Sequence, residues 1–329
     1  MSGFAVTAYG LPHAMGFLAT KDGARPENPV TIFDLMDWAK EKGLSGVDVP
    51  IPAEISAEEV RDALEERNLR LVVESMAVFS LSVEETVAHL TKSKLAGAKV
   101  VRFVLSGILC GDRRGFPGGW SAHLDALAAR LREILPVAEE LGLSLALENH
   151  QDATTEDFLR LYEASGENPA FGVCLDAGNP LAVGQEPVEA AKALAPLIRH
   201  VHLKDYTIHF APSGYRLVRC AAGEGVVDFP EILKIVQANG FTDLLPGIEI
   251  AAQATRTIPI LEPSWWAEFS PRSTTEFLGA LGILWKSGIP ESVPYSSAWE
   301  RGEGSEAVIA EEWAVLEKSA AYFQHLPGR

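Results

Sequence analysis

Short apolar runs recur along this chain, each bounded by turn residues and most followed by a longer segment with apolar positions three and four apart. The first kind reads as strands buried on both faces, the second as amphipathic helices packed on them. Strands are predicted at residues 4–9, 45–49, 69–73, 98–105, 143–148, 170–176, 198–202 and 244–249. Helices are predicted near 31–42, 122–141, 187–194 and 229–239. Three more open where Ser56 precedes Glu59, Ser82 precedes Glu85 and Thr154 precedes Asp157, the spacing of a capping box. Repeated strand–helix units imply a parallel sheet, and eight of them close on themselves. The expected fold class is α/β, a parallel (β/α)8 TIM barrel.

Two stretches exceed what barrel closure needs. Residues 206–226 follow the seventh strand as an insertion, and alternation over 215–218 predicts a small hairpin there. Residues 255–329 form a helical C-terminal extension beyond a core at about 4–254, within one domain spanning 1–329. Its last helix carries Ile309, Trp313, Leu316, Ala320 and Phe323 at helical spacing. The extension reads as an eighth barrel helix plus a packing helix. Its functional alternative is a lid or subunit contact with Trp265 and Trp266 as exposed anchors.

Composition then removes several function classes. Of 329 residues, 47% are hydrophobic, enough for a large core. The formal charge of −17, with no basic patch, disfavours nucleic acid and anionic membranes as partners. No basic leader precedes the first apolar residues, and Cys110, Cys174 and Cys220 show no paired short spacing, so a reducing cytoplasm is the expected location.

Chemistry concentrates at the strand ends. Glu148, Asp176, His202 and Glu249 each close or follow an apolar run, at the barrel rim where active sites lie. Three carboxylates and an imidazole suit one divalent metal, Mn²⁺ or Mg²⁺ first, with Co²⁺ or Zn²⁺ tolerated. Without a cation, such a cluster would repel itself. A metal held this way polarises a sugar carbonyl and stabilises the enediolate left when a base takes the neighbouring proton.

The segments Leu147-Glu-Asn-His150, Leu175-Asp-Ala-Gly-Asn179, His200-Val-His-Leu-Lys-Asp205 and Ile248-Glu249 resemble the signature strands of the xylose isomerase-like superfamily of sugar phosphate isomerases and epimerases. The resemblance covers about residues 4–250 and implies that Glu148, Asp176, His202 and Glu249 bind the metal. In its ketose 3-epimerases the residues matching Glu148 and Glu249 also exchange the proton. Asn179 is a departure, because several ketose epimerases place a histidine there. The Glu148-x-His150 arrangement resembles the large subunit of C-glycoside deglycosidases, which cleave a carbon–carbon bond in 3-oxo sugars, and related barrels decarboxylate 3-oxo sugar acids.

The expected activity is therefore a metal-dependent isomerase or epimerase acting on a keto sugar or sugar derivative, with carbon–carbon cleavage as the alternative. An abasic-site endonuclease and a non-catalytic sugar-binding barrel rank below both. His150 is a further proton-transfer candidate, sharing the face of Glu148 if alternation continues past the strand. Lys204, Asn179, His13 and Trp120 are candidate substrate contacts, Trp120 and Phe116 as aromatic walls and Lys204 competing between substrate and Asp176. Arg102 and Glu74 read as a buried ion pair. The partner class is a small carbohydrate, with a homo-oligomer or a small second subunit as the assembly.

Overall fold

A computed structural model describes residues 3–241 and 243–326. Eight parallel strands close a barrel: β1 (Ala5–Thr7), β2 (Gly46–Val49), β3 (Arg70–Ala77), β4 (Val100–Val104), β5 (Ser144–Glu148), β6 (Phe171–Asp176), β7 (Ile198–Leu203) and β10 (Gly247–Ile248). Around the wall β1 pairs with both β2 and β10, and β10 with β7, so the seam joins the chain's two ends. Helices α1 (Ile32–Glu41), α2 (Ala57–Arg67), α3 (Val83–Leu95), α4 (Trp120–Glu140), α5 (Thr155–Ala164), α6 (Pro187–Leu194) and α7 (Phe229–Ala238) lie between them. The three predicted capping boxes form, each serine or threonine hydroxyl accepting from the amide three residues on. Each satisfies amides that a helix start leaves without partners.

The insertion is larger than a hairpin. β8 (Asp205–Ala211) continues almost directly from β7 and turns into β9 (Gly214–Cys220). Two strands of the extension, β11 (Arg256–Ile258) and β12 (Gly288–Ile289), complete a second sheet in the order β11-β9-β8-β12. That sheet shares a separate apolar core, including Tyr206, Ile208, Leu217, Ile258 and Leu284, with α8 (Thr274–Ser287). The return to the barrel is tied by the Asp205 carboxylate, which accepts from the amides of Gly223, Gly225 and Val227 at 2.9–3.1 Å. Any side chain on Gly225 would overlap Asp205, which accounts for glycine there.

The eighth barrel helix is the last one, α9 (Ser305–Gln324), and α8 is the packing helix. Leu316, Ala320 and Phe323 of α9 enter the main core, and Phe323 packs on Phe4 with ring centroids 5.1 Å apart. Trp265 corrects an expectation: it is fully buried, its Nε1 donating to the Cys110 carbonyl at 3.0 Å, and Trp266 is half-buried beside it. Their rings pack with Phe269 in the second core, so they are not exposed anchors. Among the described residues no helix is long and apolar enough to cross a membrane.

Candidate metal centre

Because the strands are parallel, the residues at their C-terminal ends meet at one mouth. Ligand atoms of Glu148 (β5), Asp176 (β6), His202 (β7) and Glu249, just past β10, all lie within 4.8 Å of one another, and all four residues are buried. His202 Nδ1 sits 3.4 Å from Glu148 Oε1 and 3.0 Å from Glu249 Oε2. Beyond these mutual contacts, Glu148 Oε1 and His202 Nδ1 have no hydrogen-bond partner among the described residues, while Glu249 Oε2 also lies 2.9 Å from Lys204 Nζ. Buried polar atoms are rarely left so, and their convergence beside further carboxylate oxygens is what a cation would satisfy. Asp176 Oδ1 accepts from the amides of Gly178 and Asn179 at 2.9 Å each, which turns Oδ2 inward.

The surrounding charges favour the same occupant. Among the described residues, two permanent cations pair with the group Asp48, Glu74, Glu148, Asp176 and Glu249. Arg102 bridges Glu148 at 2.9 Å and Glu74 at 3.1 Å, while Lys204 bridges Asp176 at 2.6 Å and Glu249 at 2.9 Å. Burial pushes Glu148 and Glu249 upward, but Arg102 and His202 hold the first down to about 2, and Lys204 with His202 holds the second well below its ordinary range. For Asp176 burial wins over Lys204 and lifts it to about 6; Glu74 is pushed up to about 8 despite Arg102. Burial also opposes charge on His202, yet Cys174, Glu249, Glu148 and Asp48 together raise it well above an ordinary histidine. Burial lifts the Cys174 thiol to about 12, so at neutral pH the carboxylates carry that effect. The imidazole, in other words, sits where positive charge is favoured, which a proton or a bound cation would supply. A second grouping of Cys174, His200 and His202 offers only a neutral thiol beside His202.

Asp48 sets the histidine. Its Oδ2 lies 2.9 Å from His202 Nε2 and 3.0 Å from His200 Nε2, all fully buried. Donation from His202 Nε2 leaves the Nδ1 lone pair facing the centre, the arrangement that orients metal-binding histidines. Asp48 is not among the residues singled out from sequence, although a carboxylate inside the apolar run Gly46–Val49 is a signal of it. Nor is Asn149, whose side chain clamps the Asp176 backbone by accepting at 2.6 Å and donating at 3.1 Å.

Beside the centre lies a cavity of about 370 Å³ whose lining includes Tyr9, Glu74, Arg102, Glu148, His150, Lys204, Arg219, Glu249 and Arg256. His150 therefore shares the cavity with Glu148, and its Nδ1 has no hydrogen-bond partner among the described residues. Burial lowers its pKa, so it stands there as a neutral base. Lys204 lines the cavity while pairing with Asp176. The other three candidate contacts fall outside the lining. Trp120 is 1% exposed, donates to Asp157 at 3.2 Å and is covered by the Arg113 guanidinium 4.5 Å from its ring, so it has no face for a sugar. Phe116 packs against its edge. Asn179 is buried under Tyr206, whose hydroxyl donates to it at 3.0 Å. His13 is buried where its backbone amide donates to Glu312 of α9 at 2.9 Å.

A closed parallel barrel with a buried three-carboxylate, one-histidine cluster at its mouth places the chain in the class of β/α barrels with a candidate metal site at the C-terminal end of the strands. The profile of the Xylose isomerase-like TIM barrel family matches residues 36–267, and the chain belongs to that family. It is 27% identical over 212 residues to the uncharacterized protein YihM of Escherichia coli, covering 61% of this chain and 60% of that protein. It is 23% identical over 231 residues to the 3-oxo-isoapionate decarboxylase of Pectobacterium atrosepticum, covering 70% and 76%. Among solved structures, an L-ribulose 3-epimerase superposes with a TM-score of 0.57 at 14% identity, covering 100% of this chain and 99% of its own, so the likeness of fold extends through the extension.

Proposed function

We propose that this protein removes a proton from the carbon beside a carbonyl of a keto sugar or keto sugar derivative, with one divalent metal held by Glu148, Asp176, His202 and Glu249. The observation that carries the reading is the convergence of ligand atoms from Glu148, Asp176, His202 and Glu249 within 4.8 Å of one another, all buried, with Glu148 Oε1 and His202 Nδ1 lacking other partners among the described residues. The donor set, mostly oxygen with one nitrogen, suits Mn²⁺ or Mg²⁺ and accommodates Co²⁺ or Zn²⁺. Such an ion supplies Lewis-acid polarisation of the carbonyl.

This chain's own groups move the proton. Glu148 and Glu249 stand on barrel strands separated by β6 and β7, so they flank the cavity from two sides. One takes the proton and the other returns it, the outcome being isomerisation or epimerisation. Lys204 holds Asp176 and Glu249 in place and neutralises part of their charge.

Carbon–carbon cleavage of a 3-oxo sugar or its acid is the second reading. His150, a neutral base with a free Nδ1 in the same cavity, favours it, as does the likeness to a 3-oxo-isoapionate decarboxylase. Both readings are tested by incubating the Mn²⁺-loaded protein in D₂O with ketoses, 3-oxo-glucosides and 3-oxo sugar acids, followed by NMR beside Glu249→Gln. Deuterium next to the carbonyl with an isomer appearing supports the first reading. Loss of CO₂ or an aglycone supports the second. Silence across the panel with metal bound sinks both.

A further inference from the structure

Four lysine and arginine side chains line the cavity, and they divide into two kinds. Arg102 and Lys204 are each committed to two carboxylates. Arg219 and Arg256 pair with no carboxylate among the described residues, in a chain whose net charge is −17. Arg219 Nη1 donates to the Ala254 carbonyl at 3.0 Å, while its Nε is buried without a partner. An Nε with no competitor is half of the edge with which a guanidinium grips an oxyanion in two parallel bonds.

Both arginines stand on the second sheet. Arg219 faces Tyr206 across β8–β9, and Arg256 faces Leu217 across β9–β11. Directly opposed residues share a face, and Leu217 and Arg219 are two apart, so both guanidiniums project from one side of the sheet. That side carries the apolar residues of the second core and opens onto the cavity. The insertion and the segment between β10 and α9 thus together place two uncommitted positive charges on the wall of a pocket that also contains Glu148, Glu249 and His150.

We infer that the substrate carries an anionic group, a carboxylate or a phosphate, which Arg219 and Arg256 bind while its carbonyl end meets the metal centre. The inference rests on the keto-sugar reading above and narrows it to sugar acids or sugar phosphates. A protein with this overall charge repels small anions at long range, so recognition has to come from a local pair of donors such as these.

Matched probes separate the alternatives: D-fructose, D-fructuronate and D-fructose 6-phosphate differ only at C6. Each is titrated calorimetrically into the Mn²⁺-loaded protein and into Arg219→Gln, Arg219→Lys, Arg256→Gln and the double glutamine variant, with thermal midpoints recorded. At least one anion is expected to bind tenfold or more tighter than D-fructose. That affinity should fall about tenfold or more with each glutamine substitution. The fall should be smaller in Arg219→Lys, and the affinity for D-fructose should drop far less. Preference for fructuronate assigns the site to acids, and preference for fructose 6-phosphate assigns it to phosphates. Equal affinities, no binding of either anion, or a preference that survives the double substitution overturns the inference. Deuterium exchange on the same samples keeps the two proposals apart. Exchange without anion preference leaves the keto-sugar reading standing alone, while arginine-dependent preference without exchange on any probe leaves only the anion site.

Discussion

Replacing Asp48 by asparagine isolates the orientation of His202 from its ligand chemistry. Asp48 contributes no atom to the four-residue cluster, yet one of its oxygens lies 2.9 Å from His202 Nε2 and 3.0 Å from His200 Nε2. Hydrogen bonds to a charged group contribute about 1.5–3 kcal/mol each. Asparagine keeps the shape and one acceptor but removes the charge, and its amide can turn an N–H toward an imidazole that has to donate. Only the bond to His202 bears on the centre, so the loss in metal affinity should be about that of one such bond, roughly ten- to a hundredfold. Competition between the protein and a fluorescent Mn²⁺ or Zn²⁺ chelator measures it directly, with no substrate needed. The thermal midpoint with excess chelator and with saturating metal shows whether the loss lies in the site or in the fold. A metal dissociation constant within twofold of wild type would refute the reasoning, since it would mean that His202 either needs no orienting carboxylate or is not a ligand.

Further consequences follow from groups around the centre. Arg102→Met removes the one partner that, among the described residues, Glu74 and Glu148 share, and the uncompensated buried Glu148 carboxylate should lower stability by about 3–5 kcal/mol, read by urea unfolding. Saturating metal should recover part of that loss, because it binds Glu148. Burial raises Glu312 from 4.5 to about 8, although the amides of His13 and Ala14 oppose the shift. A carboxyl whose folded pKa lies above its unfolded value stabilises most below the unfolded value. Its contribution should therefore fall as pH rises from about 4.5 to about 8. Unfolding of Glu312→Gln across that window should be less pH-dependent than wild type, and an unchanged slope would assign the titration elsewhere. Glu148→Gln should weaken both metal binding and deuterium exchange, whereas His150→Gln should leave metal affinity near wild type and lower only proton transfer or cleavage.

The barrel was legible because its physics is local. Eight buried runs, three capping boxes and the regular spacing of strand ends are features of neighbouring residues, and the four cluster residues could be found by asking which strands end in a ligating side chain. What escaped required knowing which strands touch. Asp48 reaches His202 across the barrel interior, from a run that reads simply as a core strand. Arg102 pairs with Glu74 as the sequence suggests, but its second carboxylate, Glu148, stands on the strand that flanks β4 on the other side. Trp120 and Trp265 were misread for the opposite reason. Aromatic residues near glycine- and proline-rich loops look exposed in sequence, and only the second core and the Arg113 guanidinium show what covers them.

The seam of the barrel bears on how the molecule assembles. The strand that carries Glu249 and the helix that seals it are parted by the whole of residues 251–304, and that helix packs on the first strand's neighbour Phe4. Closure is therefore a contact of very high sequence separation, made at the entropic cost of joining the chain's two ends. During synthesis the first seven strands can pair as they emerge, but Glu249, the fourth member of the ligand set, follows β10, whose place in the wall α9 seals. Metal capture should accordingly be a late event, and in a protein shortened within α9 the seam should open before the rest of the sheet unravels.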